Sequence, residues 1–97
     1  MARRRKGEEL TALITGASGG IGLELARCFA ENGYDLILAA RSDDRLEALA
    51  KEFSERYRIQ VASFACDLGD IGSGAKLVER IAERGLRVDI LVNNAGF

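Results

Sequence analysis

The sequence predicts a doubly wound α/β fold, in which helices cover both faces of a parallel sheet of four strands. Short apolar runs that suit buried strands alternate with longer segments whose apolar residues recur at helical spacing. The chain has no proline, which fits uninterrupted elements. Because strands separated by helices of this length are joined by right-handed crossovers, we expect them to lie parallel.

The first half of the pattern is a strand, a helix and a second strand. Residues 10–15 form a continuous apolar run, which is typical of a strand buried on both faces. Residues 20–32 predict a helix, with Gly33 as its C-terminal stop. Residues 35–40 predict the second strand. The apolar face of the helix is expected to contain Ile21, Leu25, Cys28 and Phe29.

The second half repeats the alternation. Ser42 is a candidate N-cap for a helix that ends near residue 57. A third strand is predicted at 59–65, a weaker third helix at 74–84 and a fourth strand at 88–92. The apolar residues of the second helix are Leu46, Leu49, Ala50 and Phe53, and those of the third are Leu77, Val78 and Ile81.

Composition excludes several functional classes. A net charge of −1 argues against a general nucleic-acid binder. No apolar stretch is long enough to span a membrane. Residues 1–9 predict a solvated tail, because the basic run at 3–6 is followed by Gly-Glu-Glu and not by the apolar segment of a secretory signal. Binding of this run to nucleic acid or acidic lipid is the alternative. One domain is expected at 10–97.

The cysteine content argues against a metal site. Cys28 and Cys66 are far apart in the sequence, and the chain contains no histidine. We interpret both cysteines as small buried apolar residues in a reducing compartment, which predicts a cytoplasmic location.

A glycine-rich turn follows the first strand. Residues 15–22 read Thr-Gly-Ala-Ser-Gly-Gly-Ile-Gly. Such a turn suits an anionic pyrophosphate, because backbone N–H groups and the positive end of the next helix point at the ligand while glycines permit close approach. The alternative is a tight turn that happens to contain many glycines. The residues expected to line the cofactor are Gly16, Ser18, Gly19, Gly20 and Ile21.

Two motifs together resemble the short-chain dehydrogenase/reductase family. The run Thr-Gly-x-x-x-Gly-x-Gly at 15–22 is similar to its first signature, and Asn-Asn-Ala-Gly at 93–96 is similar to its second. The resemblance covers about residues 10–97. It implies part of a Rossmann-type domain with strand order 3-2-1-4. It also implies transfer of hydride between a nicotinamide cofactor and an alcohol or carbonyl substrate.

The resemblance assigns further roles to residues that follow the third and fourth strands. Asp67 would accept a hydrogen bond from the adenine amino group, and Leu68 would pack beside the ring. Capping of the next helix is the alternative for Asp67. Asn93, Ala95 and Gly96 would lie beside the cofactor ribose and steady the sheet.

The end of the second strand indicates which dinucleotide is bound. Arg41 and Ser42 follow Ala40, where a carboxylate would favour NAD. Because a guanidinium makes charge-assisted bonds to a 2′-phosphate, NADP is favoured over NAD. Gly19 departs from the basic residue that many NADP-dependent members carry before the second glycine of the motif. The alternative for Arg41 is a surface ion pair with Asp43, Asp44 or Glu47.

The catalytic half of the family pattern is not found in these 97 residues. Neither Tyr34 nor Tyr57 has a lysine four residues later, as the Tyr-x-x-x-Lys motif requires. We therefore interpret the chain as the cofactor-binding portion of an oxidoreductase, without catalytic residues of its own. The alternative is a non-catalytic nucleotide-binding or interaction module that assembles with a partner. The apolar fourth strand predicts self-association.

Overall fold

The computed structural model describes residues 10–17, 19–41, 43–67, 69 and 72–94. The predictions for the tail at 1–9 and for Ser18, Ser42, Leu68, Ala95 and Gly96 lie outside the described residues. Within them, no helix has the length and apolar character needed to cross a bilayer.

Strands and helices alternate along the chain as predicted. The order is β1 Thr11–Thr15, α1 Gly20–Glu31, β2 Asp35–Ala40, α2 Asp43–Tyr57, β3 Val61–Ala65, α3 Ser73–Glu83 and β4 Ile90–Val92. Both β3 and β4 begin two residues later than expected. Gly33 ends α1 as predicted: its φ of 84° lets its N–H bond the carbonyl of Ala30 at 3.0 Å.

The four strands form one parallel sheet in the order β3-β2-β1-β4, which confirms the predicted topology. At the centre of β1, Leu13 pairs with Ile37 on one side and with Leu91 on the other. Because side chains alternate along a strand, each strand contributes to both faces of the sheet.

Two apolar cores lie on opposite faces of this sheet. On one face, Ile14 and Leu38 pack with Leu46 and Phe53 of α2, and α1 completes the layer. On the other face, Leu13, Ile37 and Phe64 pack with Leu77 and Ile81 of α3. The helices therefore cover both faces, as a doubly wound sheet requires.

The predicted apolar face of α1 is wrong at Ile21 and Cys28, whereas Phe29 packs against the core as predicted. The buried positions are Gly22, Ala26 and Ala30, whereas Ile21 is 71% exposed and Cys28 is also exposed. Small residues at four-residue spacing let the helix lie close to the sheet, so large apolar residues mark the edge of the contact and not its centre.

Val78 of α3 is also misplaced. Its side chain is 64% exposed, while Leu77 and Ile81 are buried as expected. A four-residue spacing places Leu77 and Ile81 one above the other on the same face of the helix, and Val78 points away from the sheet. The contact between α3 and the sheet is therefore made by a narrow apolar stripe of the helix.

Candidate functional site

The candidate residues lie at the ends of neighbouring strands. Gly16 follows β1, Arg41 follows β2, Asp67 lies just beyond β3, and Asn93 follows β4. Because the strands are parallel, these four positions share one edge of the sheet. This carboxyl edge is where open α/β sheets bind their ligands.

The glycine turn is attached to the sheet near its start, at Ala17, and is exposed to solvent near its end, at Gly20. Ala17 is fully buried, and its N–H donates to the carbonyl of Ala39 at the end of β2, at 3.3 Å. Gly20, the first residue of α1, has φ of 59° and open space where a Cβ would stand. Access to the turn is thus concentrated at the N-terminus of α1.

Two of the glycines are required by close packing. A Cβ on Gly22 would lie 2.1 Å from the carbonyl oxygen of Gly16, and a Cβ on Gly16 would lie 2.9 Å from the carbonyl oxygen of Asn94. A side chain at Gly22 would push α1 away from the start of the turn, and one at Gly16 would push the turn away from the end of β4. The packing of the fold therefore explains Gly16 and Gly22 without any ligand, whereas Gly20 is favoured by its positive φ and leaves open space at the start of α1.

No side chain neutralises the N-terminus of α1 among the described residues. Gly19 precedes the helix without a side-chain cap, and the first turn contains no acidic residue. The positive end of the helix dipole and its free N–H groups are therefore available to an anion. Ile21 lies in the same turn, and its exposed side chain borders this entrance.

Thr15 joins the turn to β4. Its Oγ1 accepts a hydrogen bond from the N–H of Asn94 at 2.8 Å, and its hydroxyl lies 3.1 Å from Oδ1 of Asn93, to which it can donate. The side-chain nitrogen of Asn94 lies 3.3 Å from a Cβ built on Gly16 and 2.7 Å from one built on Gly22. Its amide therefore sits against the glycine turn.

Asn94 is a candidate site residue that the sequence did not predict. Of the two adjacent asparagines, only Asn93 was assigned a role. The available signal was topological, because a strand order of 3-2-1-4 makes β1 and β4 neighbours and brings both motifs together at their carboxyl ends.

Arg41 is exposed directly beyond β2. It makes no ion pair with Asp44 or Glu47, whose side chains are described; the side chain of Asp43 lies outside the described part. The backbone at this point is fixed, because the N–H of Cys66 donates to the carbonyl of Ala40 at 2.8 Å. The ends of β2 and β3 are therefore held side by side.

Asp67 does not cap α3, so the helix-capping alternative is wrong. Gly72 occupies the N-cap position, with φ of 84°. Asp67 is exposed, and its Oδ1 accepts a hydrogen bond from the N–H of Gly69 at 2.9 Å. The carboxylate instead closes a short turn at the carboxyl edge of the sheet.

A cleft of about 720 Å³ lies between the end of β3 and α3, and Cys66, Asp67, Lys76 and Arg80 contribute to its lining. Cys66 is half-buried, which corrects the prediction of a fully buried thiol. Burial raises the pKa of this thiol, and the charge of Arg80 opposes the increase. No group of three or more metal-ligating side chains occurs among the described residues.

The family model for short chain dehydrogenases matches residues 10–97, and the chain belongs to this family. The family resemblance of the two motifs is thereby confirmed. The family is one of oxidoreductases, and its fold is the Rossmann-type sheet seen here.

Individual relatives agree with this assignment. The chain is 43% identical over 84 residues to sulfoacetaldehyde reductase 2 of Chromohalobacter salexigens, an alignment that covers 87% of this chain and 32% of that protein. The structure of L-sorbose reductase from Gluconobacter frateurii, complexed with NADPH and L-sorbose, matches with a TM-score of 0.84 and 38% identity, covering 92% of this chain and 34% of that one.

A second solved structure is a short-chain dehydrogenase from Sphingobium yanoikuyae in complex with NADPH. It matches with a TM-score of 0.80 and 42% identity, over 91% of this chain and 34% of the other. The chain therefore spans about a third of the length of each of these relatives.

Proposed function

We propose that residues 10–97 form the NADP(H)-binding portion of a short-chain oxidoreductase. The observation that carries the proposal is the open N-terminus of α1 at Gly20, which shares the carboxyl edge of the sheet with Arg41 and Asp67. An anion-binding helix end beside an exposed guanidinium suits a dinucleotide that bears an additional phosphate.

Each part of the cofactor has a suitable partner in this arrangement. The backbone N–H groups from Gly19 to Ile21 would hold the pyrophosphate, Arg41 would bind the 2′-phosphate, and Asp67 would accept from the adenine amino group. Asn93 and Asn94 would support the ribose on the nicotinamide side. By the family resemblance, Ser18, Ser42, Leu68, Ala95 and Gly96 belong to the same site.

NADP is preferred over NAD because β2 is followed by a cation and not by a carboxylate. A carboxylate after this strand would bind an unmodified ribose and repel a phosphate, whereas Arg41 attracts one. The two solved relatives that are complexed with NADPH support the same choice.

The reaction of the whole protein would be hydride transfer between the nicotinamide and an alcohol or carbonyl compound. The bound cofactor supplies the hydride chemistry, and this chain's residues bind and orient it. The relatives named as reductases of sulfoacetaldehyde and L-sorbose support a carbonyl substrate. We expect the 97-residue chain alone to bind NADPH without oxidising it, because it contains no Tyr-x-x-x-Lys.

The test is a calorimetric titration of the 97-residue chain with NADPH, using two variants of nearly equal shape. Asp and Asn both tolerate the left-handed backbone of Gly20, and no atom lies within 4 Å of the added Cβ. Gly20→Asp would place a carboxylate against the pyrophosphate and should abolish binding, while Gly20→Asn should retain a large part of it. Absence of binding by the unmodified chain, or equal binding by both variants, would refute the proposal.

A further inference from the structure

The geometry points to Arg80 as a positioning residue for the adenosine end of the cofactor. It fixes the peptide group between Ala65 and Cys66, from which the chain continues to Asp67. This role rests on the proposed function, since Asp67 is the group assigned to the adenine amino group.

The peptide group is held from both sides. The N–H of Cys66 donates to the carbonyl of Ala40 on β2 at 2.8 Å, and the carbonyl of Ala65 accepts from Nη1 of Arg80 at 2.9 Å. These two atoms belong to one planar unit and point in opposite directions. The unit is therefore fixed between β2 and α3.

The second bond is unusual because β3 is an edge strand of the described sheet. A carbonyl that points outward from an edge strand has no neighbouring strand to pair with. Arg80 supplies a donor from the helix that packs on the sheet. Its guanidinium thereby supplies the hydrogen bond that a further strand would otherwise donate to the carbonyl of Ala65.

The guanidinium of Arg80 is itself held in place. Its central carbon lies 5.0 Å from the centroid of the Phe64 ring, and Phe64 is only 2% exposed. A planar guanidinium can stack on a ring and donate from its edge at the same time, which an ammonium cannot do in the same way.

Arg84 provides a matched comparison within the same helix. Its central carbon also lies 5.0 Å from the centroid of the Phe64 ring, one turn after Arg80. Among the described residues, only Arg80 of this pair donates to β3. Removing each arginine in turn therefore separates the bond to Ala65 from the contact with the ring.

The consequence is local to Asp67. Its backbone begins one residue beyond the fixed peptide group, and its carboxylate closes the turn to Gly69. Without Arg80 the end of β3 would be held from β2 alone. The Asp67 carboxylate would then sample more orientations. Binding of adenine would have to order this side chain, which would weaken the affinity.

The experiment divides the cofactor into its two halves. The 97-residue chain and the variants Arg80→Met and Arg84→Met are titrated with NADPH, with adenosine 2′,5′-bisphosphate and with reduced nicotinamide mononucleotide. We expect Arg80→Met to weaken NADPH and the bisphosphate by about three- to tenfold, the range for net loss of one ordinary hydrogen bond, because Arg80 does not itself touch the cofactor. Binding of the mononucleotide should be unchanged. Arg84→Met should change none of the three.

Two further measurements separate positioning from general stability. In an Asp67→Asn background, Arg80→Met should cause little additional loss of NADPH affinity, because both substitutions act on the contact between residue 67 and adenine. Amide hydrogen exchange at Cys66 should accelerate in Arg80→Met and not in Arg84→Met. If Arg80→Met does not remain folded, Arg80→Lys gives the same comparison with a smaller expected loss.

The outcomes are distinct. Equal weakening of both halves, equal effects of the two arginine variants, or additivity with Asp67→Asn would overturn the role of Arg80 and leave the proposed function intact. Absence of binding by the unmodified chain would overturn the proposed function and this role together, while the exchange rates would still report on the double hydrogen bond.

Discussion

The side-chain oxygen of Thr15 accepts a hydrogen bond from the backbone N–H of Asn94 at 2.8 Å, and this bond connects the carboxyl ends of β1 and β4. Thr15 is 4% exposed and is the one buried polar residue among the described core positions. The two motifs that define the family lie far apart in the sequence, and this side chain helps to join them in the fold.

Replacing Thr15 by Val should destabilise the chain by about 1–3 kcal/mol, because valine keeps the shape but leaves the Asn94 N–H without its acceptor. Thr15→Ser is the control, since it loses a methyl group and keeps the hydroxyl. Urea unfolding followed by circular dichroism measures the change, and an NADPH titration reports on the site. Affinity should fall in Thr15→Val and persist in Thr15→Ser; a valine variant as stable and as active in binding as the original would contradict this role.

The order of elements along the chain was predictable from residue patterns, and the strand order 3-2-1-4 from the family resemblance. Alternation of buried strands and amphipathic helices gave all seven elements, and right-handed crossovers restrict how parallel strands can be arranged. The face of α1 was not predictable from large apolar residues, because the contact is made by Gly22, Ala26 and Ala30. Only small residues fit where two backbones approach closely. The sequence therefore shows no large apolar residues at the tightest contact between α1 and the sheet.

The positions of individual polar side chains were harder to predict. Arg80 lies on an exposed helix surface, where a sequence reading expects a solvated charge, and only the three-dimensional structure shows its bond to Ala65. Asn94 was missed because its amide contacts two glycines of a segment that is remote in the sequence. Both contacts are long-range, and neither has a periodic pattern that reveals it.

Gly22→Ala should be strongly destabilising. Its Cβ would lie 2.1 Å from the carbonyl oxygen of Gly16, a backbone atom that cannot move without displacing the turn. The expected loss is at least about 1–3 kcal/mol, as for an overpacked core, and cofactor binding should fall with it. Gly74→Ala in α3 is the control, because nothing lies within 4 Å of its added Cβ.

The control substitution should instead be neutral or stabilise the chain by a few tenths of a kcal/mol, at most about 0.5 kcal/mol, because Gly74 lies in the first turn of α3 where helix propensity has a smaller effect than in the interior. Chemical denaturation of both variants tests this difference. Similar unfolding free energies for Gly22→Ala and Gly74→Ala would show that the turn tolerates a side chain.

Arg41→Ala should reduce the preference for NADPH over NADH. Loss of hydrogen bonds from a charged group to the 2′-phosphate corresponds to about 1.5–3 kcal/mol, or roughly a 10- to 150-fold weaker NADPH complex. NADH binding should change little, because that cofactor lacks the phosphate. Arg45→Ala, which removes a nearby exposed cation of α2, serves as the control for general electrostatic attraction. An unchanged ratio of the two dissociation constants in Arg41→Ala would rule out this contact.

Stability should depend on the ionisation of Asp89 at low pH. Oδ2 of Asp89 accepts from the N–H of Thr11 at 2.9 Å, and Oδ1 accepts from Nε of Arg87 at 2.7 Å. These bonds, the one from Thr11 above all, lower the pKa of Asp89 below its ordinary value of 3.8. Because the folded pKa is the lower one, the stabilisation is fully present above the unfolded value and is lost as pH falls through the folded value.

Asp89→Asn should therefore make the unfolding free energy less dependent on pH below 3.8, the ordinary pKa of this carboxyl. Acid titrations monitored by circular dichroism provide the comparison, with Glu79→Gln as a control that removes an exposed carboxylate of α3. Identical acid transitions in Asp89→Asn and the unmodified chain would show that the link from Asp89 to Thr11 does not contribute.

We expect the 97-residue chain to self-associate through β4. This strand lies at the edge of the described sheet, and Leu91 is 62% exposed beside the buried Leu13 with which it pairs. An edge strand with an exposed apolar side chain and no lysine or proline is suited to pairing with a second copy, most simply through a two-fold interface. Sedimentation velocity at micromolar concentration should show a species larger than the monomer.

Leu91→Lys should shift this species towards the monomer by placing a charge in the interface. Val78→Lys is the matched control, because Val78 is equally apolar and 64% exposed but lies on α3, away from this edge. A monomeric chain, or dissociation by Val78→Lys as readily as by Leu91→Lys, would show that β4 is not the contact surface.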